Sequence, residues 1–259
     1  MRIAILSDIH GNLPALDAVL RDLPPDVEQI WCLGDVVNYY AHPLRCIAAL
    51  RADPRTVTAC WLLGNHDAAV IGVVEPARIN QYGQATLAYT REQLTSDDRA
   101  FLGARPLRCD FILGAGMSVT LVHGSPADPL WHYLRTPDDA ALAAEHMSSP
   151  LCIVGHTHVA QAFVERDGAW RPIDLTTLPC GTLRLGISRA IVNVGSVGQP
   201  RDGNADAAYL LLDPEEGTIS FRRCAYPVVQ TQQAAWRRMG SVVSPALLEE
   251  LVARLSTAT

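Results

Sequence analysis

Residues 2–23, RIAILSDIHGNLPALDAVLRDL, decide the fold class. RIAILS is a short apolar run of the buried-strand kind. NLPALDAVLRDL then puts Leu13, Leu16, Val19, Leu20 and Leu23 on one helical stripe, with Asn12 placed to cap it. The cycle repeats. QIWCLG (29–34) predicts a second strand, HPLRCIAALRA (42–52) a helix with Pro43 in its first turn, and TVTACWLLG (56–64) a third strand. A βαβαβ order implies a parallel sheet with helices on its faces.

Residues from about 77 to 105 read as helices. RCDFILGAGMSVTLVHG (108–124) predicts a hairpin around a Gly-rich turn, and TPDDAALAAEHM (136–147) a helix capped by Thr136. From about residue 159 the pattern changes. VAQAFVERDGAWRPIDL (159–175) alternates around Asp167-Gly168, a hairpin signal, and RAIVNVG, AAYLLLD and TISFRRCAY add strands. PALLEELVARL (245–255) is one amphipathic helix. The class is α/β, parallel early and antiparallel late. With no repeat, low-complexity tract or linker, residues 1–259 read as one domain, with a helix at about 243–256 appended.

The chain is 49% hydrophobic over 259 residues, enough for one substantial core. Its net charge of −6 and lack of a basic cluster give no electrostatic basis for binding duplex nucleic acid. MRIAILSDIHGN is too short and too polar for a signal peptide, and no run approaches the about 18 apolar residues of a membrane span. The seven cysteines are scattered and odd in number. They read as reduced core residues of a cytoplasmic protein.

The polar residues follow the apolar runs. Asp8 and His10 come after IAIL, Asp35 after IWCL, Asn65, His66 and Asp67 after CWLL, His123 after SVTLV, and His156 and His158 after CIV. Each has an ordinary alternative: a cap for Asp8, a turn for Asn65, a surface position for His123. Five successive strand ends of this kind are a different matter, because carboxyl ends of parallel strands line one edge of a sheet. His156 and His158, at i and i+2 of an extended segment, would point to the same side. Carboxylates, imidazoles and an amide oxygen without thiolate suit a pair of first-row divalent ions: manganese, iron, cobalt, nickel or zinc. Two ions about 3.5–4 Å apart need a shared carboxylate, and Asp35 is the natural bridge.

The series DIH, GD, GNHD, VHG and GHTH, in that order over residues 8–158, resembles the calcineurin-like metallophosphoesterase superfamily. SDIHGNLPALDAVL and NVGSVGQPRDG (193–203) are similar to a bacterial and archaeal branch of small phosphodiesterase-like proteins, grouped loosely with diadenosine tetraphosphatases. The resemblance implies a four-layer αββα sandwich of two mixed β-sheets flanked by helices. It implies one metal held by Asp8, His10, Asp35 and His158, and a second by Asp35, Asn65, His123 and His156. It implies a hydrolase in which hydroxide bridging the metals attacks phosphorus while His66 acts on the leaving oxygen. Manganese is the expected metal, and a small phosphoester or nucleotide the expected substrate.

The sequence departs from the protein serine/threonine phosphatases of that superfamily at GDVVNYY (34–40). Asn38 stands where they carry an aspartate that orients the histidine, and Tyr39 where they carry a phosphate-binding arginine. Both changes favour a phosphodiester or nucleotide over a phosphomonoester. The alternatives are a dinucleoside polyphosphate hydrolase or phosphomonoesterase and, in another class, a non-catalytic metal-binding interaction scaffold. Asn38, His132 and Arg201 are candidate substrate contacts, whereas His42 and His146 are expected on the surface or in packing. Segments 70–85 and 125–137 are expected to be loops that carry specificity.

Overall fold

The computed structural model describes residues 1–186 and 188–259. The amino-terminal half contains β1 (Arg2–Leu6), α1 (Leu13–Asp22), β2 (Val27–Cys32), α2 (Pro43–Ala52), β3 (Thr56–Trp61), α3 (Asn65–Ile71), α4 (Gln81–Gln93) and α5 (Ser96–Gly103). There follow β4 (Arg108–Ile112), β5 (Ser118–Val122), α6 (Pro137–Ala144), β6 (Leu151–Val154), β7 (Ala160–Arg166) and β8 (Ala169–Asp174). The chain continues through β9 (Thr182–Arg184), β10 (Ala190–Val194), β11 (Ala207–Asp213), β12 (Thr218–Cys224), α7 (Val228–Met239) and α8 (Pro245–Thr257).

The strands form two six-stranded mixed sheets, ordered β3-β2-β1-β11-β12-β9 and β4-β5-β6-β10-β7-β8. In the first sheet β1, β2 and β3 are parallel, as their helical crossovers require. Here β11, β12 and β9 pair antiparallel. In the second sheet β5, β6 and β10 are parallel, and β4, β7 and β8 complete it antiparallel. Alternation along each strand then builds the layers. Ile3 and Ile5 of β1 face between the sheets, with Leu121, Ile153 and Val192 of the second sheet in the same core. Ala4 and Leu6 face outward onto Leu16 and Val19 of α1 and Ile47 of α2. Val122, Val154 and Ile191 cover Ala140 and Ala143 of α6 on the opposite outer face. The result is the four-layer αββα sandwich.

The predicted caps are present: the Asn12 side chain accepts from the Ala15 amide, and that of Thr136 from the Asp139 amide. Three elements differ from the sequence reading. Helix α3 starts on Asn65 itself, inside a GNHD stretch that reads locally as a turn. Helix α7 was hidden because Thr231, Ala234 and Ala235, small or polar, make up most of its buried side, with Met239 the one large apolar residue there. Strand β9 has only three residues. Residues 70–85 are mostly not loop: α3 runs to Ile71, a 3-10 turn covers Pro76–Arg78, and α4 begins at Gln81. All seven cysteines are free, but Cys180 is exposed and Cys109 and Cys224 are half-buried, so the core reading holds for Cys32, Cys46, Cys60 and Cys152. Among the described residues no helix is long and apolar enough to cross a membrane.

Ile5 is fully buried in the central strand of the first sheet. Ile5→Ala is expected to lower unfolding free energy by about 2–5 kcal/mol, read from the urea midpoint at unchanged slope.

Candidate metal centre

Both parallel triplets end on one side, and the residues after them meet there. Asp8 and His10 follow β1, Asp35 follows β2, Asn65 follows β3, His123 follows β5, and His156 and His158 follow β6. All seven are buried. One oxygen or nitrogen from each of Asp8, His10 and His158 lies within 4.8 Å of the others, and Asp35, His123 and His156 form a second such triad. Asp35 Oδ2 is 3.3 Å from His123 Nε2 and 3.7 Å from His10 Nε2, so it faces both triads. Asn65 Oδ1 is 3.1 Å from His123 Nε2.

The outward atoms of the cluster are held by the surrounding chain. The Nδ1 atoms of His10, His123 and His158 lie 3.3, 2.9 and 2.6 Å from the carbonyls of Val37, Leu33 and Gln199. A carbonyl only accepts, so each Nδ1 carries a proton. In the neutral rings of His10 and His158 this leaves a lone pair on Nε2, whereas the charged His123 ring also holds a proton on Nε2 that a bound cation would displace. Asp8 Oδ2 accepts from Ser7 Oγ (2.6 Å) and the His156 amide (3.0 Å), and Asp35 Oδ1 accepts from the His66 amide (2.8 Å). Asp8 Oδ1, Asp35 Oδ2 and His156 Nε2 are buried without any hydrogen-bond partner. Buried polar atoms of this kind are costly unless something occupies the space between them. His10 Nε2 and His158 Nε2 face each other at 3.1 Å. The donor set therefore fits divalent cations.

The electrostatics point the same way. Burial pushes the Asp35 carboxyl up, but the His123, His66 and His10 imidazoles together hold it well below the ordinary carboxylate range. Asp8 is likewise lowered against burial, mainly by His158. Burial pushes His156 down to about 3 and His10 well below its usual value, leaving both neutral. His123 stands apart at about 9, because Asp35 and Asp8 outweigh its burial. Burial and Asp35 raise Asp67 to about 7, and its oxygens accept from the amides of Val37 (3.0 Å) and Gly64 (3.3 Å).

The local backbone is unusual. Asp8, His10, Asp35, Asn38, Tyr39, His156 and His158 all have φ between 52° and 73°. Left-handed backbone is uncommon for residues other than glycine and concentrates at functional sites. His156 and His158 thus do not share a side by extended geometry. Each turns back in the left-handed region, and they enter different triads. Two glycines give the ligands room. A Cβ on Gly64 would stand 2.0 Å from Asp35 Oδ1, and one on Gly155 2.0 Å from Ser7 Oγ.

A family model described as the calcineurin-like phosphoesterase superfamily domain matches residues 1–217. The chain belongs to the calcineurin-like phosphoesterase superfamily. Among its relatives is the uncharacterized protein MJ0912 of Methanocaldococcus jannaschii, 32% identical over 229 residues, 87% of this chain and 88% of that one. The crystal structure of a metallophosphoesterase from Sphaerobacter thermophilus is 35% identical, with a TM-score of 0.81 over 100% of both chains. Hypothetical protein PH1004 from Pyrococcus horikoshii OT3 shares the fold at 19% identity, TM-score 0.76, over 100% of this chain and 98% of that one. Membership and the two Asp/His triads support a metal-dependent phosphoesterase.

The calcineurin-like site has a second ring of residues. Asn38 Nδ2 lies 2.9 Å from His66 Nδ1 and donates to Gly83 O at 3.1 Å, while Asn38 Oδ1 accepts from Thr86 Oγ1 (2.7 Å) and Thr90 Oγ1 (3.3 Å). Gly83 O only accepts, so the amide nitrogen must face this side. Its second proton then points at His66 Nδ1, and the imidazole proton lies on Nε2. Arg201 donates to Gln199 Oε1 (2.7 Å) and reaches Tyr39 OH at 3.4 Å, and its Nε is buried without a partner. The amides of Val197 and Gly198 in the same loop donate to the carbonyls of Ser7 and Asp8, which ties the Arg201 loop to the end of β1.

His132 is not brought to the ligand cluster. Its Nδ1 bonds Ser125 Oγ (2.7 Å) and its Nε2 is 3.6 Å from Asp139 of α6, so it ties its loop to that helix. The neighbouring Tyr133 reaches the cluster instead, stacking on His156 with centroids 4.0 Å apart, and Arg135 covers the ring at 4.4 Å. Sequence reasoning missed Tyr133, Thr86 and Thr90. The only signal was the position of Tyr133 beside a histidine, and for the threonines there was none. His42 is half-buried at the start of α2, and His146 is exposed.

Gly155→Ala is expected to displace Ser7 and Asp8, lowering stability by about 1–3 kcal/mol and bound metal in the purified chain. Thermal melting and elemental analysis of the protein check the two effects.

Proposed function

We propose that the chain is a binuclear phosphoesterase of phosphodiester or nucleotide substrates. Asp8, His10, Asp35 and His158 would hold one ion, and Asp35, Asn65, His123 and His156 the other. The observation that carries this reading is Asp35 Oδ2, buried, without a hydrogen-bond partner, and within 3.7 Å of the nearest imidazole nitrogen on either side. When bound, such ions polarise a phosphoryl oxygen and lower the pKa of water. Manganese is the proposed metal, and the whole chain the working unit.

The chain's own residues would then supply binding and orientation. Arg201 contributes one guanidinium beside the triads, its terminal nitrogen touching Tyr39 and its buried Nε without a partner. One guanidinium matches the single negative charge of a diester better than the dianion of a monoester. His66 presents a proton at Nε2. Burial, with Arg201 adding to it, pushes His66 down to about 4, so the ring is neutral at neutral pH. It would hydrogen-bond the departing oxygen without handing over a full proton. That favours leaving groups that need little protonation. It is also the observation behind a second reading, a phosphoanhydride between nucleoside phosphates.

Purified chain reloaded with manganese is expected to hydrolyse a bis-nitrophenyl phosphodiester faster than a nitrophenyl phosphomonoester. Asp35→Asn should fall to background, and Arg201→Ala should raise KM about tenfold or more through loss of a charge-assisted hydrogen bond. His66→Ala should cost about a hundredfold or more with a dinucleotide, and less with the aryl diester. Reversed preference for the monoester would overturn the diester reading. Metal binding without turnover of any of these, or of diadenosine tetraphosphate, would favour the interaction scaffold.

The Asn38 contact makes a pH prediction. The parent should show no ionisation of His66 in kcat near neutrality, since the ring is already neutral above about 4. Asn38→Asp supplies an acceptor for a protonated Nδ1 and raises the His66 pKa. Its kcat for a dinucleotide should therefore fall as pH rises through the new value, a basic limb visible in the pH–rate profile.

A further inference from the structure

A cavity open to solvent lies outside the metal centre, between α1, α2 and α7. It has a volume of about 350 Å³, and its lining includes Asp17, Arg21, His42, Arg45, Gln230 and Arg237, the three arginines exposed. That volume is in the range of small-molecule sites. Three guanidiniums oppose one carboxylate, in a chain whose net charge is −6. All 21 of its basic residues are arginines, and among the described residues those held in ion pairs are Arg2, Arg51, Arg55, Arg108, Arg189 and Arg223. Arg21, Arg45 and Arg237 are not among them, so three uncommitted guanidiniums line one cavity.

His42 contributes a second observation. Its Nδ1 is buried without a hydrogen-bond partner. It is the N-cap of α2 but supplies no side-chain cap, so the first-turn amides of a ten-residue helix are left without that partner. The ring feels a positive field: burial, Arg238, Arg45 and Arg237 hold its pKa down against Asp17 alone. Arginine forks with a helix amino-terminus at their side are a recurring way to bind phosphate.

We propose that this cavity binds a small polyanion carrying a diphosphate group, at a site separate from the metal centre. Arg45 and Arg237 grip the phosphates from α2 and α7, Arg21 adds charge from α1, and the rest of the cavity accommodates whatever the diphosphate carries. The site is wired to the loops that bear the metal-facing residues. The His42 amide donates to Gly11 O (3.0 Å), one residue after His10, and the Tyr40 amide donates to His10 O (3.0 Å). Thr231 of α7 donates to Asn12 Oδ1 (2.8 Å) at the cap of α1. A ligand that ties α7 to α1 and α2 thus braces the segment from His10 to His42.

The test is calorimetric titration of the full-length chain with pyrophosphate, first with EDTA present and then after manganese loading. One pyrophosphate per chain is expected without metal. Arg45→Ala/Arg237→Ala should weaken it at least tenfold, while its melting temperature without ligand and its diester turnover stay at parent levels. Arg45→Lys/Arg237→Lys should lose less. Equal affinity in the parent and the double alanine variant would overturn the proposal. So would binding that Arg201→Ala abolishes, because the anion would then occupy the catalytic cleft. ADP as a second probe separates the sources of the group. Tighter binding of ADP assigns the site to nucleotides, tighter binding of pyrophosphate to the free ion, and either supports it.

Discussion

A carboxylate buried where two sheets abut sets the terms for the rest of this molecule. Asp35 is 1% exposed at the end of β2. An isolated charge there would carry a desolvation penalty of several kcal/mol. One oxygen is held by the first turn of α3 through the His66 amide, and the other faces imidazoles from both sheets. Those imidazoles come from the first sheet (His10) and the second (His123), so the charge is compensated only when both sheets are in register. The inter-sheet core of Ile3, Ile5, Leu121, Ile153 and Val192 keeps them so. Packing and electrostatics are here one requirement.

The same constraint explains the strained backbone. Chains leaving adjacent strand ends must turn at once to keep their polar side chains inside. Seven residues do so in the left-handed region, at about 1–3 kcal/mol each. Such a cost persists only where surrounding structure over-determines the conformation. The carboxyl-terminal helices are part of that surround. Leu251 and Leu255 of α8 pack on Tyr39 and Tyr40, and Tyr40 OH bonds Leu251 O at 3.4 Å. The family model ends at residue 217, but the helices beyond it buttress the loop that carries Asn38.

Around the metal-facing core the chain has its own arrangement. Asn38 is pinned by Thr86, Thr90 and Gly83 of α4, so an amide proton is directed at His66 where a carboxylate would have accepted one. The Arg201 guanidinium comes from the loop after β10 and reaches Tyr39. Tyr133 lies flat on His156. These contacts surround the two Asp/His triads without replacing any of their residues.

The alternation of apolar runs and helical stripes was legible because periodicity is local, and it set the α/β class with parallel pairing early and antiparallel pairing late, whereas the αββα layering was what the family resemblance implied. The metal-facing residues were legible for a related reason. Each follows an apolar run directly, and parallel strands bring such positions to one edge whatever their separation. The amino-acid sequence therefore named Asp8, His10, Asp35, Asn65, His123, His156 and His158 as a group. It could not name Thr86, Thr90 or Tyr133, whose partners are set by how α4 and the 124–136 loop dock. Nor could it mark α7, whose buried face carries Met239 as its one large apolar residue, or the cavity that α7 lines with α1 and α2. Asn12 meets Thr231 across 219 residues of chain. No periodicity or motif encodes a contact of that range, because it exists only once the layers have packed.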